Sequence, residues 1–292
     1  MNEITSRVLL YGSAVVAIAG IAITWSNTST EADVMTLLNS ADSQLRMANA
    51  IPPVDLQGKR LDKRDEMIVH AIEQLSKVES IEPGMACTAE FRGFAHMLQG
   101  EFSEAAACYQ EASTCKDCGD KQRDILAFNQ ARVLVQAGNA TGALDVFAAN
   151  KATLDARYGH QRRLDEAVIL RGLGRTIEAF TRLEVVTNDV NATPMARLQA
   201  GREYVKLGDF AAGENALNGI HDEVPIADYY LAQLKLCQGQ ADTCMELLER
   251  VSKVRPTEVR RMLREEAEAW SAVAQDARFQ ELSKLLPASP GR

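Results

Sequence analysis

An all-α stack of helical hairpins, preceded by one transmembrane helix, is the fold that this 292-residue sequence predicts. Three observations point to it. Between Leu61 and Leu286 the apolar residues recur at helical intervals in segments of 12 to 20 residues, and no sustained apolar–polar alternation suggests a strand. Gly100, Gly138, Gly174, Gly208 and Gly239 each close one such segment and precede another, at spacings of 38, 36, 34 and 31. A period near 34 with two helices per unit is the mark of a helical-hairpin repeat. Aromatic residues make up only 5% of a chain in which Ala is frequent, a balance that favours closely packed helices over sheets.

The first element is the N-terminal segment, 1–29. No charged residue occurs from Val8 to Thr30, and "VLLYGSAVVAIAGIAITW", Val8 to Trp25, is apolar all round. At about 1.5 Å per residue this run is long enough to cross a hydrocarbon core, with Trp25 at interfacial depth. The reading is an uncleaved anchor over about 8–25. A cleaved signal peptide would use Ala17-Ile18-Ala19, but the apolar run continues past that site through Ile23. A buried helix of the globular part would show a polar face, which this run lacks. Arg7 precedes the span, and Glu31 and Asp33 follow it. The positive-inside tendency therefore leaves the N-terminus cytoplasmic and the rest of the chain outside, on the periplasmic side of a bacterial envelope. If the segment is cleaved, the product is a secreted soluble adaptor.

Residues 30–83 form a degenerate first repeat. Its helices, at Thr30–Ala50 and Leu61–Ser80, flank an overlong loop around "IPPVDLQGK", where the prolines break the periodicity. Residues 84–256 hold the regular repeats, and 257–292 a charged helix, a shorter helix and a tail. A polar terminal unit of this kind caps the open end of a solenoid.

The regular repeats resemble the tetratricopeptide repeat (TPR) family. The best copy carries Gly93, Gly100, Phe102, Ala105, Tyr109 and Ala112 at that family's repeat positions 8, 15, 17, 20, 24 and 27. The second has Ala127, Ala131, Leu134, Gly138, Ala143 and Phe147, and the third Ala167, Leu170, Gly174, Ala179 and Leu183. The fourth has Gly201, Tyr204, Gly208, Phe210 and Leu217, with Gly213 where Ala is usual. The fifth has Leu231, Ala232, Gly239, Leu248, Val251 and Pro256, with Cys244 in a small-residue slot. Ala71, Leu75 and Val78 before Pro83 match the degenerate copy. The small residues stand where backbones approach closely, so larger side chains there would overpack, at a cost of roughly 1–3 kcal/mol.

The resemblance implies a surface for protein partners lined by first-helix residues. Carried onto this chain, that groove includes Phe94, Met97, Phe128, Arg132, Arg171, Arg202, Lys206 and Tyr229. Apolar residues and cations on an acidic protein suit a partner segment with carboxylates and apolar anchors. The competing reading is that these side chains contact the chain's own neighbouring helices. The family's carboxylate clamp for chaperone tails is not expected: Asn129 matches its middle position, but Glu90, Phe94, Gln161 and Asp165 occupy the others.

Net charge is −8, which argues against nucleic acid as the main partner. The four histidines, at 70, 96, 160 and 221, show no metal-ligand spacing, and no nucleophile motif or phosphate loop occurs. "RGLGRT", around Gly172 and Gly174, lacks the Lys-Ser/Thr ending that a phosphate loop needs. No enzyme activity, cofactor or small-molecule substrate is expected. Six cysteines, an even count, fit an oxidising compartment. Cys237 and Cys244 flank the Gly239 turn and are one candidate disulfide; Cys115 and Cys118 of "CKDCGD" are another. Buried cysteines can equally act as small apolar residues. The Cys-x-x-Cys falls at the C-terminal end of a helix, where the dipole does not help a reactive thiolate. A thiol or metal protein built on this cluster is the alternative function.

Overall fold

The computed structural model describes residues 29–53 and 61–284. The anchor expected at 8–25 lies outside them. No helix among the described residues is long and apolar enough to cross a membrane. The described residues contain helices and turns and no strand.

Two compact units divide the chain, Met1–Thr153 and Leu154–Arg292. In the first, α1 (Ser29–Ala50) pairs with α2 (Asp62–Ile81), α3 (Ala86–Gln99) with α4 (Phe102–Thr114), and α5 (Asp120–Gln136) with α6 (Ala140–Ala149). Adjacent pairs stack through α2 on α3 and α4 on α5. One core, from Val34, Leu38, Leu45, Ile68, Leu75 and Val78, receives Phe91 and Phe94 from α3. A second joins α3, α4 and α5 through Ala89, Ala105, Tyr109, Ala112 and Leu126. No hairpin closes its own apolar face, so the next one is needed to cover it.

The second unit begins within α7 (Lys151–Gly172), whose helical geometry breaks at Tyr158, φ −137° and ψ 29°. It continues with α8 (Thr176–Thr187), α9 (Pro194–Leu207), α10 (Phe210–Asn218), α11 (Ala227–Cys237) and α12 (Ala241–Val254). Helix α13 (Pro256–Glu265), a 3₁₀ segment (Ala267–Val273) and α14 (Ala277–Ser283) end the described chain. The segment expected to be a polar cap has an aromatic inner side. Trp270 is fully buried, with its ring 5.2 Å from Tyr229 and 6.0 Å from Phe279.

The recurrent turn glycines have a shared geometry. Gly100, Gly138, Gly174, Gly208 and Gly239 all lie at φ between 73° and 83°, the left-handed conformation that ends a helix. At Gly100 the glycine N–H donates to Met97 O and the Glu101 N–H to His96 O, so the last carbonyls of α3 are satisfied as the chain reverses. His96 is absorbed by the same turn, its Nδ1 2.6 Å from Glu101 Oε2. Close approach explains the other small residues. A Cβ added to Gly93 would stand 2.8 Å from the Tyr109 ring, and one at Gly201 only 2.6 Å from Leu217 Cγ.

Candidate partner-binding surface

The first helix of each hairpin was expected to present partner-binding residues, and the two units treat those positions differently. In the first unit, Phe94 is 3% exposed and Phe128 is 7% exposed. Phe94 packs into the core made with α1 and α2, and Phe128 meets Phe147 edge-on at 5.4 Å. Both serve the stacking of the unit and do not present a surface. Met97 is half-buried against the same cores. The Arg132 guanidinium lies 5.9 Å over the Phe128 ring.

In the second unit Tyr229 is also withdrawn, fully buried. Its hydroxyl donates to Glu266 at 3.1 Å and accepts from the Trp270 indole N–H at 3.0 Å, while Gln233 also donates to Glu266. Burial pushes the phenol far above its ordinary range, with the Glu266 carboxylate adding to the effect. The hydroxyl is thus a structural hydrogen-bonding group. For these three rings the physical reason is common: a large ring at a first-helix position fills the gap to the adjoining helices before it can face solvent.

The cations behave otherwise. On α9, Met195, Gln199, Arg202 and Lys206 follow one another at helical intervals of four, three and four, which places them on one stripe. Met195 is 52% exposed. Beside this stripe the Glu203 carboxylate is buried, and it accepts from Arg171 of α7 at 2.9 Å and from Lys206 at 2.6 Å. Burial alone would push the Glu203 carboxyl up; the Lys206 and Arg171 charges outweigh it and hold the group below its ordinary value. The Arg202 guanidinium carbon lies over Tyr230, 4.6 Å from the ring centroid, and its Nε is buried without a hydrogen-bond partner. Among the described residues no carboxylate pairs with it. A stacked guanidinium keeps its charge while its rotamer freedom is restricted.

A cleft of about 250 Å³ adjoins the N-terminal half of the stripe. Leu164, Met195 and Gln199 line it together with Tyr158 and His160, near the break in α7. His160 Nε2 lies 2.9 Å from Asp189 Oδ2. Three features of this region were not foreseen from the sequence. Glu203 falls on the buried stripe Ala196–Ala200–Glu203, so its position was the available signal. Ile177 and Val185 lie off the buried Ala179–Leu183–Val186 stripe of α8 and are 82% and 45% exposed. The irregularity at Tyr158 had no sequence signal beyond the poor helix former Gly159 beside it.

All six cysteines are free. The expected Cys237–Cys244 pairing is not formed; Cys237 is exposed on α11, and Cys244 is buried on α12, where desolvation pushes its thiol up to about 11. As a small apolar filler at the tight hairpin crossing, Cys244 needs no partner. Cys115, half-buried, and Cys118, buried, are free thiols as well. Among the described residues no cluster of three or more His, Cys, Asp or Glu could hold a metal ion.

With this geometry in place, the fold can be compared with solved structures. The C-terminal part of a TPR repeat-containing protein from Cytophaga hutchinsonii aligns over 84% of this chain and 91% of its own, at TM-score 0.55 and 12% identity. A Pseudomonas aeruginosa PilF structure aligns over 76% and 95% at TM-score 0.48 and 11% identity. A tetratricopeptide repeat protein from Parabacteroides merdae aligns over 84% and 98% at TM-score 0.45 and 17% identity. No family model and no curated protein matches the sequence. The Cytophaga likeness is one of fold, and it agrees with the hairpins and turn glycines: the chain has a TPR-like all-helical fold.

Proposed function

We propose that this protein is a non-enzymatic scaffold that binds partner proteins, tethered to a membrane by its N-terminal segment and supporting assembly of an envelope complex. TPR-like helical repeats are in general protein-interaction folds, which supports the scaffold class. One observation carries the reading to a site: Arg202 is held on Tyr230 with no carboxylate partner, between Met195 and Lys206 on a single helical stripe. A partner segment with an apolar side chain near Met195 and a carboxylate on Arg202 fits that array. Arg171 and Lys206 hold the register through Glu203 and add positive charge, on a protein whose net charge is −8.

The test is crosslinked capture from native membranes with the wild-type chain and with Arg202→Ala, Arg202→Lys and Arg132→Ala/Arg202→Ala. Loss of the same identified partners in both Ala variants, with unchanged helicity, is expected; Arg202→Lys falls between because it keeps charge but not the stacked fork. Unchanged capture by all three refutes the site. Tethering is tested separately. Intact-mass measurement reads whether 1–29 is retained, and a C-terminal reporter active only outside the cytoplasm reads the orientation. A cleaved chain or a cytoplasmic reporter would overturn that part.

A further inference from the structure

The turn Cys115–Cys118, between α4 and α5, has a task that partner binding does not use. The Cys118 N–H donates to Cys115 O at 3.2 Å, closing a turn over Lys116 and Asp117. Asp117, inside that turn, reaches back to the start of α3: both its carboxylate oxygens lie 3.1 Å from the Ala86 N–H. Helix α3 has no side-chain cap of its own at Met85. Its positive end is therefore satisfied by a carboxylate from 31 residues further along the chain.

A hydrogen-bonded turn of this kind keeps its first and fourth Cα atoms within about 7 Å. A disulfide spans Cα separations of roughly 4.4–6.8 Å. We propose that Cys115 and Cys118 are the two halves of an oxidisable pair whose disulfide locks the Asp117 cap onto α3. The residues differ in access. Cys118 is buried against Ala86 and Ala89, and Cys115 is half-buried at the rim of the same core. Cys115 is accordingly the sulfur that meets an external oxidant.

The step uses a small-molecule disulfide as oxidant. The Cys115 thiol loses its proton and attacks one sulfur of the reagent, forming a mixed disulfide and expelling one thiolate. The Cys118 sulfur, giving up its own proton, then attacks Cys115 and expels the second thiolate. Two electrons and two protons pass from the protein pair to the reagent, which becomes two thiols. Burial raises both thiols, Cys118 to about 11. That suits a slowly made lock and not a fast exchange catalyst, whose thiol would be lowered. Cys87, buried one residue beyond Ala86, is the competing partner for Cys118.

The experiment treats the full chain with excess oxidised glutathione and maps the product by peptide mass, then reads amide hydrogen exchange in both redox states. Expected are one intramolecular disulfide between Cys115 and Cys118, and exchange at Ala86 to Ala89 slower on the order of ten-fold, the scale of a short closed loop. Cys115→Ser should show neither change. Asp117→Asn should form the disulfide but lose most of the added protection. Failure to oxidise, a disulfide mapped to Cys87, or protection gained equally by Asp117→Asn would each overturn the proposal.

Discussion

Both units bury carboxylates on the first helices of their hairpins, and two of them, Glu90 and Glu203, are given opposite company. In the first unit Glu90 of α3 accepts a hydrogen bond from the neutral Gln122 of α5 at 2.8 Å. Burial pushes its carboxyl above the ordinary value, and the Gln122 contact only partly offsets that. In the second, Glu203 lies between Arg171 and Lys206, and their charges reverse the effect of burial. Burial depth is nearly equal, 6% exposed against 5%, so the sign of the shift is decided by the partners. The same contrast separates the surfaces. Where neutral partners and rings fill the first-helix positions, as at Phe94 and Phe128, the unit is closed. Where cations fill them, as at Arg171 and Lys206, they pair with the buried Glu203 carboxylate.

The most severe break in the comparison comes from Trp270, a fully buried indole larger than Phe147, the largest fully buried side chain among the first unit's described residues. Trp270→Ala should cost about 3–5 kcal/mol by denaturant unfolding, since it opens a large cavity and removes the donor to Tyr229. Glu203→Gln comes next, at about 2 kcal/mol, because Arg171 and Lys206 lose a charged partner but keep access to water. Glu90→Gln, by contrast, should stay within about 1 kcal/mol of wild type, since an amide can still pair with Gln122. If the two Gln variants lose equal stability, the assignment by partner charge is wrong.

Acid sharpens the same contrast. Glu203, with its folded value lowered, contributes stability that is fully present above the ordinary carboxyl value of 4.5 and is lost as pH falls below it through the folded value. Glu90, with its value raised, does the reverse: stability declines as pH rises from 4.5 through the folded value. Unfolding curves across this range should therefore show Glu90→Gln losing the decline on the alkaline side of 4.5, and Glu203→Gln losing part of the acid sensitivity below it. Parallel curves for the two variants would contradict the opposed shifts of the two carboxyls.

Much of the fold was legible because it rests on local rules. The turn glycines, the helical periodicity and the small residues at Gly93 and Gly201 each express a steric requirement that sequence shows directly. The surface was less legible because burial is decided by neighbours distant in sequence. Phe94, Phe128 and Tyr229 have the right spacing for a face, yet each is claimed by another helix, with Tyr229 taken up by Trp270 41 residues away. The cations also answer to other helices: Arg171 reaches Glu203 on the next hairpin, and Arg202 lies over the Tyr230 ring. The Asp117 cap was out of reach for the same reason as Tyr229: its partner is remote.

The tight crossings at Gly93 and Gly201 make side-chain volume a joint possession of two positions. Tyr109 has its ring only because position 93 has no Cβ, and Leu217 its branch only because position 201 has none. Inheritance at such a crossing acts on the pair: position 93 can drift to Ala when the residue at 109 shrinks in step, and the hairpin is unchanged. A fold transmitted through paired volumes can keep its shape while its letters turn over, which is how 12% identity can accompany a shared hairpin stack.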